Sequence, residues 1–129
     1  MLFRSRDPNF RKNVLRAYNY QCAICGYDLR MDDVSVGLEA AHIKWKQFHG
    51  PCEISNGLTL CVLHHKAFDK GAFSITEDYK MKLSASLNGS EQLQRLFFDY
   101  ESNQILLPKK DKLLPNLSYL KWHQDEVFK

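Results

Sequence analysis

Two paired metal-ligand motifs constrain the chain more than any other feature. Cys22 and Cys25 are separated by two residues, and Cys61 and His64 repeat that gap as Cys-Val-Leu-His. A two-residue gap lets both donor atoms of a tight turn face one ion. The two pairs therefore supply the four soft ligands of a closed, tetrahedral zinc site. Disulfides would be the other use of cysteine, but residues 1–10 lack the apolar stretch of an export signal. A chain of 129 residues also has enough length for a core without covalent staples. Cys52 is left over and reads as a bystander, or as a replacement for His64 if that ligand is misassigned. The stretch between Cys25 and Cys61 is longer than a compact zinc finger allows, so it must contain something else.

Length and composition narrow the class. With 129 residues, 44% apolar and 26% charged, the chain is expected to form one globular domain, residues 1–129, rather than a disordered tail. Its apolar runs, such as residues 105–108, fall far short of the ~20 residues of a membrane-spanning helix, so no membrane partner is expected. The expected location is the cytoplasm. The net charge of +3 is unevenly spread: residues 1–70 hold ten Lys/Arg against seven Asp/Glu, and residues 71–129 hold eight of each. Arg4, Arg6, Arg11, Lys12 and Arg16 crowd one predicted helix. Such a patch suits a polyanionic partner, and a plain solvated face reads equally well.

The order of elements is legible along the chain. Asp7-Pro8 has the form of an N-cap and first helical residue, and Phe10, Val14, Leu15 and Tyr18 recur at helical spacing, predicting an amphipathic helix over about 8–19. Residues 28–35 are polar and turn-like. Residues 38–43 read as a short strand entering a loop rich in glycine, proline and polar residues. A second strand at 58–61 leads into a short helix at 62–70, ended by Gly71. A hairpin is expected over 72–87 around Glu77-Asp78. A helix from Glu91, an apolar run, a lysine-rich turn and a final helix over 115–128 follow.

Between the two ligand pairs, His42, Asn56 and His65 fall on strand, loop and helix in that order. The text LEAAHI, then SNGLTLC, then LHHKAFD resembles the HNH endonucleases, whose active site is a ββα-metal (His-Me) finger. The signature spans about 38–71, and the flanking pairs extend it to about 8–76, leaving 77–129 as an extension. The resemblance implies an α+β fold: a zinc-stabilised ββα-metal core with an N-terminal helix and a C-terminal hairpin-plus-helix extension. It also implies hydrolysis of phosphodiesters in double-stranded DNA, with 5′-phosphate ends.

The chemistry fits those residue types. Phosphodiester hydrolysis needs a deprotonated water and a cation to offset the charge developing on the leaving oxygen. A neutral imidazole suits the first task and a divalent metal, Mg²⁺, Mn²⁺ or another, suits the second. His42 is then the general base and His65 a ligand of the catalytic metal. The resemblance implies that Asn56 pins the intervening loop and orients His42 by hydrogen bonding. His64 and His65, pointing about 100° apart on a helix, divide the work: His64 to structural zinc, His65 to the catalytic metal.

One departure is plain. Many HNH enzymes carry an aspartate immediately before the first histidine, where this chain has Ala41. Asp69, four residues after His65 on the same helix face, and Glu39, on the same strand face as Ala41, are the candidate substitutes, with Asp69 preferred. Lys44, Lys46, Lys66 and Lys70 flank the site and are candidates for phosphate contacts. Phe68 and Phe73 read as core, and His49 and His123 as surface or packing residues. Trp45 reads as packing the loop or touching DNA.

A narrower resemblance joins EAAHI, NGLTLCVLHHKAFDKGAFSI and the C-terminal LKWHQDEVF to the nuclease domains of Mcr-type, modification-dependent restriction endonucleases. It implies a bacterial restriction or defence setting, with a separate reader of phosphorothioated or methylated DNA in a longer enzyme. A double-strand break would need two copies of one such site, hence a homodimer. The alternative is a catalytically inactive, zinc-stabilised DNA-binding module, which would bind DNA salt-sensitively without cutting it. A protein-interaction module would not bind duplex at all.

Overall fold

Helix α1 forms over Pro8–Ala17 because Asp7 accepts hydrogen bonds from the Asn9 and Phe10 amides while Pro8 sits in the first turn. The computed structural model describes residues 7–129, so Arg4 and Arg6 of the basic cluster lie outside the described residues. The helix stops short of residue 19 because Asn19 and Tyr20 turn into left-handed backbone, at φ 54° and 56°. Its buried face is Phe10, Val14 and Leu15.

The polar stretch at 28–35, expected only as a turn, forms a miniature antiparallel hairpin of β1 (Arg30–Met31) and β2 (Val34–Ser35). Asp32 and Asp33 form its tip at φ 51° and 67°, the left-handed pair that a two-residue hairpin turn demands and aspartate tolerates.

The central unit is β3 (Leu38–His42) paired antiparallel with β4 (Gly57–Cys61), followed at once by α2 (Val62–Asp69). This is the expected ββα order in an α+β chain. In the register Leu38 lies opposite Cys61 and His42 opposite Gly57. Helix α1 is fastened to this hairpin. Thr59 Oγ1 donates to the Val14 carbonyl at 3.1 Å, the Tyr18 hydroxyl to the Gly57 carbonyl at 3.3 Å, and Arg11 to the Leu38 carbonyl at 3.2 Å. The close approach explains the glycine at the start of β4. A Cβ there would lie 2.6 Å from Val14 Cγ2 and 3.0 Å from the Phe10 ring, so a larger residue would push α1 off the strand.

Beyond α2, Gly71 turns the chain at φ 80°, a conformation glycine adopts without a Cβ penalty. β5 (Phe73–Ile75) and β6 (Met81–Leu83) then form the expected hairpin. Helix α3 (Gln92–Leu96) is a short piece continued by a 3₁₀ turn at Phe98–Tyr100. The lysine-rich segment holds another 3₁₀ turn at Asp111–Leu113, and the last helix, α4, spans Leu117–Glu126 with Asn116 as its cap. Two of the several contacts that tie the extension to the ββα unit end on backbone carbonyls. The Leu106 amide donates to the Ala23 carbonyl at 2.8 Å, beside the first ligand pair. In the second, fully buried His123 of α4 donates from Nε2 to the Phe68 carbonyl at 2.9 Å, accepts from Ser74 at 2.7 Å, and stacks on the Phe68 ring at 3.8 Å. Burial holds this imidazole neutral, its pKa pushed down to about 4. Phe68 and Phe73 are fully buried, the core positions expected of them. Among the described residues, no helix is long and apolar enough to cross a membrane.

Candidate metal centre and active-site cleft

The two ligand pairs meet because the turn after α1 is fastened to β4. The Ala23 amide donates to the Thr59 carbonyl at 2.7 Å, and the Gly26 amide closes the turn onto the Cys22 carbonyl at 2.9 Å. Cys61 ends β4 and caps α2, its sulfur accepting the His64 amide at 3.5 Å. The donor atoms of Cys22, Cys25, Cys61 and His64 all lie within 4.8 Å of one another. His64 is fully buried, and its Nε2 donates to the Leu96 carbonyl at 2.7 Å. That bond fixes the tautomer, leaving the lone pair of Nδ1 toward the sulfurs of Cys61 (3.3 Å) and Cys22 (3.8 Å).

Hydrogen bonds from Cys25 and then Cys61 hold the Cys22 thiol well below its ordinary range, and Cys22 in turn pushes Cys25 up. Three thiols so close cannot all ionise without a cation among them. A Cys₃His donor set with a tautomer locked from outside fits a structural zinc ion.

The second cluster lies in an open cleft of about 1020 Å³, whose walls include Glu39, His42, Lys46, His65, Lys66, Asp69 and Lys70. Lys44 does not line this cleft. Its backbone is instead what Asn56 grips. Fully buried, Asn56 accepts the Lys44 amide at 2.8 Å and donates to the carbonyls of Lys44 (3.0 Å) and Pro51 (2.9 Å). All three bonds go to the loop backbone. The residues that touch the His42 ring are others: Phe10 stacks on it at 4.2 Å and 12°, and the Cys52 sulfur lies 3.5 Å from its Nε2. Burial, and then the Lys46 ammonium, lower the pKa of His42, so it is neutral near pH 7.

His65 leaves α2 on the other side from His64 and lies between two carboxylates. Its Nδ1 is 2.5 Å from Glu39 and its Nε2 is 3.2 Å from Asp69. Burial alone would depress this imidazole, but the bonds and charges of Asp69, then of Glu39, outweigh it and raise its pKa. The two carboxylates that sequence spacing offered as alternatives thus both reach His65, from opposite edges of one ring. Asp69 also acts electrostatically on His42. Ala41 is fully buried, with no polar group to offer the cleft.

Three neighbours of the site escaped the sequence reading. Phe10 looked like an ordinary core position of an amphipathic helix, Arg11 like one charge of a diffuse basic patch, and Cys52 like a bystander. Arg11 lines the cleft, and Cys52 joins His42 to Lys46, whose Nζ is 3.4 Å from the sulfur. Only the Gly57 gap, which lets α1 approach, was a signal for Phe10. Trp45 packs the loop: its ring meets Trp122 of α4 at 5.7 Å and Phe48 at 6.3 Å. His49 is exposed.

Comparison with known proteins gives a family match and a fold match. Residues 22–76 match the family described as HNH endonuclease. Among solved structures, a "Modification dependent TagI restriction endonuclease" shares the fold, with a TM-score of 0.68 and 24% identity over 95% of this chain. The chain spans 38% of that protein's length. No curated protein matches.

Proposed function

We propose that the chain, whose residues 22–76 match the HNH endonuclease family, is a metal-dependent DNA endonuclease that hydrolyses phosphodiester bonds. In this reading residues 1–129 are one domain, the nuclease module of a longer, modification-dependent restriction enzyme of the bacterial cytoplasm. The observation that carries it is the pairing, in one lysine-rimmed cleft, of a neutral imidazole at His42 with a carboxylate-flanked imidazole at His65.

His42 takes the proton of the attacking water. Its depressed pKa keeps it free of a proton near pH 7, and the Phe10 stack and the Asn56-braced loop hold it in place. His65 Nε2 and Asp69 are the protein ligands of the catalytic cation, and Glu39, bonded to Nδ1, orients the ring and fixes its tautomer. This division follows from the two edges of the imidazole. One nitrogen must keep a proton while the other binds metal, and the Asp69 edge is the one that His42 senses. One carboxylate and one imidazole would hold a divalent cation such as Mn²⁺ or Mg²⁺, the carboxylate suiting a hard ion and the imidazole a more borderline one, with room left for water and phosphate. That cation, when bound, offsets the negative charge on the phosphate and leaving oxygen. Lys46, Lys66 and Lys70, on the cleft wall, hold the DNA backbone without reading sequence. Two copies, as a homodimer, would cut both strands.

The test is cleavage of supercoiled plasmid by the zinc-loaded protein with and without added Mg²⁺ or Mn²⁺, with the ends labelled by kinase before and after phosphatase. Metal-dependent nicking with 5′-phosphate ends is expected. DNA binding without any nicking across these metals would favour the inactive binding module.

A further inference from the structure

We propose that Cys52 is a positioning residue for His42, a role that rests on reading His42 as the general base. Cys52 follows Pro51 in the loop that Asn56 braces, so its backbone is held from the same buried amide. Its sulfur sits between two nitrogens: His42 Nε2 at 3.5 Å and Lys46 Nζ at 3.4 Å. An ammonium can only donate hydrogen bonds, so the sulfur accepts from Lys46 through one lone pair, and its second lone pair is left to accept from the imidazole N–H. A neutral imidazole carries one N–H, and it is best placed where an acceptor faces it. The sulfur thus holds the proton of His42 on Nε2 and leaves Nδ1 as the basic nitrogen. Nδ1 has no hydrogen-bond partner among the described residues, which suits the nitrogen that must take a proton from water.

The arrangement has the logic of a base oriented by a third group, with sulfur in the place often held by a carboxylate or carbonyl. A carboxylate there would raise the basicity of His42 and favour its charged form. A sulfur shared with a lysine orients the ring without that effect.

The experiment combines the tautomer and the turnover. The ring ¹⁵N shifts of His42 are recorded by NMR in zinc-loaded wild type, Cys52→Ala and Cys52→Ser, with His42→Ala used to assign the signal and a urea transition confirming that each variant is folded. Plasmid nicking is measured on the same samples. The expected result is an Nε2–H tautomer in wild type and a mixture of tautomers in Cys52→Ala, with kcat lower by up to about tenfold at unchanged KM. Cys52→Ser, whose hydroxyl still accepts, should recover most of both. An Nδ1–H tautomer in wild type would overturn the proposal, as would a tautomer that ignores Cys52→Ala. A wild type that shows the tautomer response yet never nicks DNA would uphold the positioning role and refute the nuclease reading instead.

Discussion

Removing the Asn56 side chain should cost about 3 kcal/mol of stability, because it deletes three hydrogen bonds made by a buried amide to the part-buried loop backbone, worth about 1 kcal/mol each. Asn56→Ala leaves the Lys44 amide and the Lys44 and Pro51 carbonyls without their partner at a fully buried position. Water entering the space would bring the figure nearer 2 kcal/mol. A domain of this size typically has roughly 5–15 kcal/mol in hand, so the variant should fold and can be measured. Asn56→Asp sharpens the test because it keeps the shape. Its carboxylate still accepts the Lys44 amide, but it turns the two donated bonds into oxygen–oxygen contacts and buries a charge. At pH 7 it should be less stable than Asn56→Ala. Its folded-state pKa is expected above that of the unfolded chain, so its deficit should shrink as pH falls and the carboxyl protonates. Urea unfolding of the zinc-loaded proteins at pH 7 and pH 5 reads these differences. A loss below about 0.5 kcal/mol in Asn56→Ala, or an Asn56→Asp as stable as wild type at pH 7, would refute the idea that this amide holds the loop.

Other predictions follow from the same structure. Chelation of zinc, or Cys22→Ser, should abolish the cooperative melting transition, because the cluster joins the first turn, β4 and α2; an unchanged transition by circular dichroism would count against it. Stability should fall as pH drops from about 6.5 towards 4, because unfolding frees His123 to take a proton that its buried site refuses. The drop in pKa to about 4 corresponds to about 3 kcal/mol, and His123→Asn should flatten that slope in urea titrations across the range. Asp69→Asn should raise the Mg²⁺ concentration for half-maximal nicking by roughly tenfold or more, and Glu39→Gln by less, since Glu39 acts through the ring; the reverse order would exchange the two roles.

What was legible in the sequence is what depends on short spacing. The two-residue gaps that put Cys22 with Cys25 and Cys61 with His64 are local facts, and so is the four-residue step from His65 to Asp69. The short strand-like run at 38–43 and the Asp7-Pro8 start of α1 are local too. The β1–β2 hairpin was hidden because each strand is two residues long, too short for any alternation to register, although its Asp-Asp tip carried a turn signal. Contacts made across the chain were less visible. Phe10 reaches His42 only because Gly57 lets α1 settle against β4, and Cys52 reaches His42 only because Asn56 folds the loop back. Spacing also presented Glu39 and Asp69 as rivals. The structure puts them on opposite edges of His65, a relation that one-dimensional spacing does not encode.

The most direct test of the central claim is metal-dependent nicking of supercoiled plasmid by wild type beside His42→Ala, both purified identically, zinc-loaded and shown to be folded. If His42 is the base, the variant should lose at least about a hundredfold in rate while still binding DNA. Equal nicking by both proteins would contradict the account and move the chemistry away from this cleft.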